Sequence, residues 1–181
     1  MSAQLIQATV KPAVFPAHIA VTPHAEGVSS VLRPAQLKDA EQITAMINHY
    51  AALGEMLPRK EESVRQHIHQ FVVAEANHKV IACGALHHWD SQSAEIRSLA
   101  VAEEYAGQGL GTRIVKVLDA MGAQLGYEYA FALTLKVRFF EKLGYGVVSK
   151  SVLPQKIWGD CIICPFLYNC RETAVLKQYR V

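Results

Sequence analysis

The stretch from Ile96 to Leu118, IRSLAVAEEYAGQGLGTRIVKVL, decides how the rest of the chain is read. With Glu95 in front of it, the first part (EIRSLAV) alternates charged and apolar residues at its start, as a strand does. Beyond the glycines, Ile114, Val115, Leu118 and Met121 share one face of a helix expected over Thr112 to Leu125. A helix starts with amide N–H groups that lack intrahelical acceptors, and its dipole is positive at that end. Glycines before it let successive N–H groups converge on one anion, with no Cβ in the way. Strand, glycine loop and helix together make a phosphate cradle. No Gly-Lys-Ser/Thr is present, and Ile114 stands where a dinucleotide fingerprint needs its third glycine, so two common phosphate loops are excluded.

Outward from this stretch, the upstream pattern gives a short strand at Val31–Arg33 and a helix opening at Lys38-Asp39 with Ile43, Met46, Ile47 and Tyr50 at helical spacing. A polar second helix carries Val64, His67 and Ile68. Phe71 to Glu75 and Lys79 to His88 read as a hairpin about Asn77-His78. Downstream, Tyr129 to Thr134 is a strand, Arg138 to Leu143 a short helix stopped by Gly144, and Tyr145 to Val152 a last strand. The expected fold class is α/β, with a mixed sheet that is antiparallel first and parallel near its middle. Residues 1–28 contain Pro12, Pro16 and Pro23 without a sustained period, and read as an irregular arm or linker before a single domain at 29–181.

The 181 residues carry a formal charge of +2, which gives no strong field and no argument for nucleic acid. Apolar runs are too short to span a bilayer. Residues 1–28 lack the features of a secretory signal, so the expected location is the cytoplasm, with Cys83, Cys161, Cys164 and Cys170 reduced. Cys161-x2-Cys164-x5-Cys170 offers three thiols with no histidine in the tail, so packing is favoured over a metal and none is expected.

The quoted stretch resembles the central motif of the GNAT family of N-acetyltransferases, and RFFEKLGY (138–145) is similar to that family's late Phe-Tyr-Glu-Lys-x-Gly-Phe segment. The resemblance covers about residues 30 to 152 and implies a GNAT fold, with an antiparallel first half, a parallel strand pair near the acetyl-CoA site and about four flanking helices. It implies acetyl-CoA as donor, held by Ala106, Gly107, Gln108, Gly109, Leu110, Gly111 and Thr112, with the pyrophosphate on the amides of Gln108 to Thr112. The pantetheine arm would pair like an added strand along Ser98 to Val101, meeting Leu99, Ala100 and Val101, with Phe140 nearby. Two positions depart from the family. Ala106 stands where Arg or Gln is usual, and Phe140 replaces the tyrosine that often protonates the leaving thiolate. A thiol of pKa about 8.5 can leave as the anion without that help.

A narrower resemblance lies in Leu57-Pro58-Arg59, CGAL (83–86), AEIRSLAV (94–101), FALT (131–134) and Phe139-Phe140, which are similar to the acetyltransferase domain of bacterial N-acetylglutamate synthases. The tail LPQKIWGDCIICPFLYNCRE (153–172) looks like the end of the short synthases, including those fused behind argininosuccinate lyase. This implies acetyl transfer to the α-amine of L-glutamate, the first step of arginine biosynthesis. A dianionic acceptor calls for cations, and Arg59, Arg97 and Lys156 are the candidates, with Ser98 as an added hydrogen-bonding group. Glu95 is the candidate base, acting directly or through water. Glu95 and Arg97 also fit a solvated charge pair on one strand face, and Arg59 an ordinary surface arginine. His87 and His88 point to opposite faces, and neither is favoured as a base. Another amino acid, a polyamine or a protein amine remains open as acceptor, as does a non-catalytic acyl-CoA-binding module. A homodimer and a functional link to argininosuccinate lyase are compatible with the resemblance.

Overall fold

The computed structural model describes residues 29–153, 161 and 164–179; the arm expected at 1–28 and the candidate Lys156 lie outside the described residues. Strand β1 (Val31–Pro34) leads to helices α1 (Ala40–Ala52) and α2 (Glu61–Gln66). Strands β2 (Phe71–Ala76), β3 (Lys79–His88) and β4 (Ser93–Val101) follow. Helix α3 (Leu110–Leu125), strand β5 (Tyr129–Thr134), helix α4 (Val137–Glu141) and strands β6 (Gly146–Val147) and β7 (Thr173–Gln178) complete the order. One seven-stranded sheet runs β1-β2-β3-β4-β5-β7-β6. Among the described residues only β4 and β5 pair in parallel; the other neighbours are antiparallel, a mixed sheet as expected from the sequence.

Local chemistry explains these elements. Asn77 and His78 both take positive φ (48° and 61°), the geometry that matches a tight hairpin to strand twist. In α1, Ile43 and Ile47 sit one turn apart and are fully buried with Val73, Cys83 and Ala85 beneath them. On the opposite sheet face, α3 lays Ile114, Val115 and Leu118 over Val72, Leu86 and Ile96. Gly84 permits that closeness, since a Cβ there would meet Ile114 Cγ2 at 2.7 Å. The first turn of α3 begins at Leu110, two residues ahead of the expected start, and Gly126 closes the helix at φ 85°.

The C-terminal region departs from expectation. The strand expected over Tyr145 to Val152 shrinks to Gly146–Val147, because Lys150–Val152 coils into a 3-10 turn capped by the Ser149 hydroxyl. Tyr145 is drawn inward, donating its hydroxyl hydrogen to Asp119 Oδ1 at 2.5 Å. The helix expected at Arg138 to Leu143 starts and stops earlier, at Val137–Glu141. Strand β7 was not anticipated; it inserts between β5 and β6 and buries Ala174 and Val175. Lys177 and Tyr179 reach from that strand to Asp119 on α3, at 2.7 and 3.1 Å. No helix among the described residues is long and apolar enough to cross a membrane.

Candidate active site

The middle of the sheet opens. Strands β4 and β5 pair only at Ser93↔Tyr129, Ala94↔Ala130 and Glu95↔Phe131, although both continue beyond. From Ile96 to Val101 the edge of β4 that faced β5 is therefore unpaired by sheet hydrogen bonds. Such an edge offers N–H and C=O groups to an extended, amide-bearing ligand. A bulge shapes it. Cys83 faces Ala100 and Ala85 faces Arg97, so Ser98 and Leu99 together oppose Gly84, and Ser98 takes φ 54°. The extra residue reverses the facing of the chain. Ile96 packs toward α3, and after the bulge Leu99 and Val101 do so too, while Ala100 turns to the α1 side. The Tyr50 hydroxyl donates to the Val101 carbonyl and fixes the strand end against α1.

At that end the chain turns through Gly107 and Gly109, with φ 78° and 77°, into α3. Gly109 is the N-cap and no side chain caps the helix, so its first amides are free of that competition. Nothing lies within 4 Å of a Cβ built on either glycine. A cleft of about 1200 Å³ runs from this loop into the gap between β4 and β5. Of the eleven residues expected to hold the donor, ten line it; Gln108 does not, its side-chain amide turning back toward the Glu104 carbonyl at 3.5 Å. Ala106 brings no cation, but Arg138 of α4 and Lys142 just after that helix line the same cleft. Phe140 is buried, with Phe139 and Tyr145 edge-on to it at 5.1 and 5.2 Å. The nearby Tyr145 hydroxyl is committed to Asp119.

The acceptor candidates among the described residues share the same cleft. Arg59, Glu95, Arg97 and Ser98 all line it. Trp89 Nε1 donates to Glu95 Oε2 at 3.0 Å, and Arg97 Nη1 lies 3.7 Å from that oxygen. The Glu95 and Arg97 side chains are 12% and 14% exposed, so their pairing is real but not that of a solvated surface pair. The backbone of Arg59 is held by Asn48 of α1. Arg59 N donates to Asn48 Oδ1 at 2.9 Å, and Asn48 Nδ2 donates to the Arg59 carbonyl at 3.0 Å. This reciprocal clamp aims an otherwise irregular Leu57-Pro58-Arg59 segment.

His87 lies opposite Glu95 across the β3–β4 register but is not part of the cleft wall. Burial, followed by the charges of Arg97 and Arg59, pushes its pKa down to about 3, and Gln70 Oε1 sits 3.0 Å from its Nδ1. His88 is exposed beside the Tyr127 hydroxyl at 2.9 Å. Neither histidine is placed to take a proton in the cleft.

Several cleft residues escaped the sequence reading. Glu55 and Lys136 approach to 3.4 Å, linking the segment after α1 to the one after β5. Cys161, Cys164 and Cys170, read from the sequence as packing thiols, instead line the cleft with Lys150 and Glu172. Cys83 is separate, fully buried in β3, its thiol pushed up to about 12 by desolvation. Among the described residues no group of three or more His, Cys, Asp or Glu is arranged to hold a metal ion.

Comparison with known proteins agrees with this architecture. The model of the acetyltransferase (GNAT) family matches residues 37–145. An uncharacterized N-acetyltransferase from Chlorobaculum tepidum is 40% identical over 146 residues, covering 81% of this chain and 94% of that protein. An amino-acid acetyltransferase from Mycobacterium tuberculosis is 30% identical over 134 residues, covering 72% and 76%. The crystal structure of N-acetylglutamate synthase from Neisseria gonorrhoeae, complexed with coenzyme A and N-acetyl-glutamate, superposes with a TM-score of 0.77 at 22% identity, over 86% of this chain but 36% of that one. Other solved neighbours also hold CoA or acetyl-CoA. The chain belongs to the acetyltransferase (GNAT) family, and its chemistry is acetyl transfer from acetyl-CoA.

Proposed function

We propose that the acceptor is the α-amine of L-glutamate. The observation that supports this reading most is the placement of two guanidinium groups, Arg59 and Arg97, in the cleft wall beyond the donor loop. Guanidinium forks suit the two carboxylates of a dianionic amino acid, and a polycationic acceptor would be repelled by them. The relatives named amino-acid acetyltransferase point the same way.

In this reading the donor's pyrophosphate rests on the first amides of α3, and the pantetheine arm follows the open edge of β4. The acceptor ammonium loses a proton to Glu95, directly or through one water, and the amine attacks the thioester carbonyl. An N–H of the β4 edge around Leu99 to Val101 steadies the oxyanion as it develops. Collapse expels coenzyme A as a thiolate, which takes up a proton from solvent because Phe140 has none to give. Trp89 and Arg97 fix the Glu95 carboxylate in place.

Initial rates of acetyl-CoA consumption over a panel of free amino acids and polyamines test the assignment. Glutamate is expected to give the highest kcat/KM. Turnover of polyamines with none on glutamate would refute it, and absence of turnover on any amine would favour a non-catalytic acyl-CoA-binding role.

A further inference from the structure

The tail cysteines are unlike Cys83. None of Cys161, Cys164 or Cys170 belongs to a hydrophobic core cluster, whereas Cys83 packs in one. All three line the catalytic cleft; Cys161 and Cys164 are half-buried and Cys170 is exposed. Cys164 N donates to the Cys161 carbonyl at 3.1 Å. Lys150 places its ammonium 3.0 Å from Cys170 Sγ. The Cys161 thiol is pushed up first by burial and then by its neighbours Cys170 and Cys164. Lys150 gives the exposed Cys170 the electropositive setting of a reactive thiol, whereas buried apolar thiols such as Cys83 are inert. Packing does not require this arrangement.

We propose that Cys170 and Cys161 form a redox-modification site in the wall of the catalytic cleft, which peroxides close to a disulfide, slowing acetyl transfer. Cys170, the exposed thiol beside Lys150, attacks the peroxide first. The O–O bond breaks, Cys170 becomes a sulfenic acid, and the departing hydroxide leaves as water with the thiol proton. Cys161 then displaces the sulfenic hydroxyl, the S–S bond forms, and a second water departs. Two thiols and one peroxide thus give one disulfide and two waters. The same tail, through Cys164, Phe166 and Cys170, borders a small hollow shared with Gly54 to Leu57, the segment that leads to Arg59. Cross-linking the tail therefore acts on the acceptor end of the cleft and leaves the glycine loop alone. The proposal rests on acetyl transfer and not on glutamate, so its assay uses whichever amine of the panel turns over fastest.

The test treats the full chain with hydrogen peroxide, alkylates the remaining thiols, and maps the peptides by mass spectrometry beside rates of acetyl-CoA consumption. A Cys161–Cys170 disulfide is expected, together with a several-fold rise in acceptor KM that dithiothreitol reverses and little change in acetyl-CoA KM. Cys170→Ser, at an exposed position, is expected to keep basal turnover and lose the peroxide response. A disulfide confined to Cys161 and Cys164, no disulfide at all, an unaltered acceptor KM after disulfide formation, or an equal response in Cys170→Ser would each overturn the proposal.

Discussion

Glu95 shows how a single side chain acquires its setting. Its spacing from Arg97 places both on one strand face, which is legible in EIR alone. That Trp89 would donate to the same carboxylate, 3.0 Å away, depends on the turn between β3 and β4, where no sequence pattern fixes a direction. The Asn48 clamp on Arg59 was equally hidden, since it joins residues eleven positions apart through a loop. His87 carries a prediction at this scale. Its folded pKa of about 3 lies below the ordinary 6.5, so on acidification the unfolded chain takes up the proton first. The stability it contributes is full above pH 6.5 and is lost as pH falls from there toward 3. Thermal unfolding between pH 7 and 4 should show a steeper loss of Tm for the wild type than for His87→Asn. Parallel curves would mean that the imidazole is not buried neutral.

Two glycines separate the conformational from the packing role of an element's boundary. Gly109 has φ 77° with open space around it, so alanine there meets backbone strain of about 1–2 kcal/mol and distorts the amides proposed to hold the donor. Gly84 has no such φ, but its Cβ would press on Ile114 at 2.7 Å, an overpacking cost of about 1–3 kcal/mol. Gly109→Ala is expected to raise the KM for acetyl-CoA several-fold. Gly84→Ala is expected to lower Tm by several degrees with a smaller change in that KM; the two measured side by side check the assignment of the loop. The loop and α3 were legible because glycine spacing and a helical apolar period fall next to each other. The bulge at Ser98 was not, because the break in alternation at Arg97-Ser98 does not by itself distinguish a bulge from the end of a half-buried face.

At the scale of the molecule, the opening between β4 and β5 sets the functional geometry. It gives the donor loop and the two arginines access to one cleft, and its walls come from segments far apart in sequence. The mixed sheet was readable from the order of elements. Strand β7 was not, because TAVLKQ is short and follows a cysteine-rich tail with no turn signal of its own. Its place in the sheet is secured by Asp119, which accepts from Tyr145, Lys177 and Tyr179 and ties strand to helix through tertiary contacts. The proposed acceptor site is the feature most dependent on that assembly, since Arg59 and Arg97 share a cleft only in the folded chain. Steady-state kinetics of Arg59→Ala test this most directly. Losing one charge-assisted contact of about 1.5–3 kcal/mol should raise the KM for L-glutamate by roughly ten- to a hundred-fold and leave that for acetyl-CoA nearly unchanged. Equal effects on both substrates, or an unaltered glutamate KM, would contradict the placement of the acceptor between the two arginines.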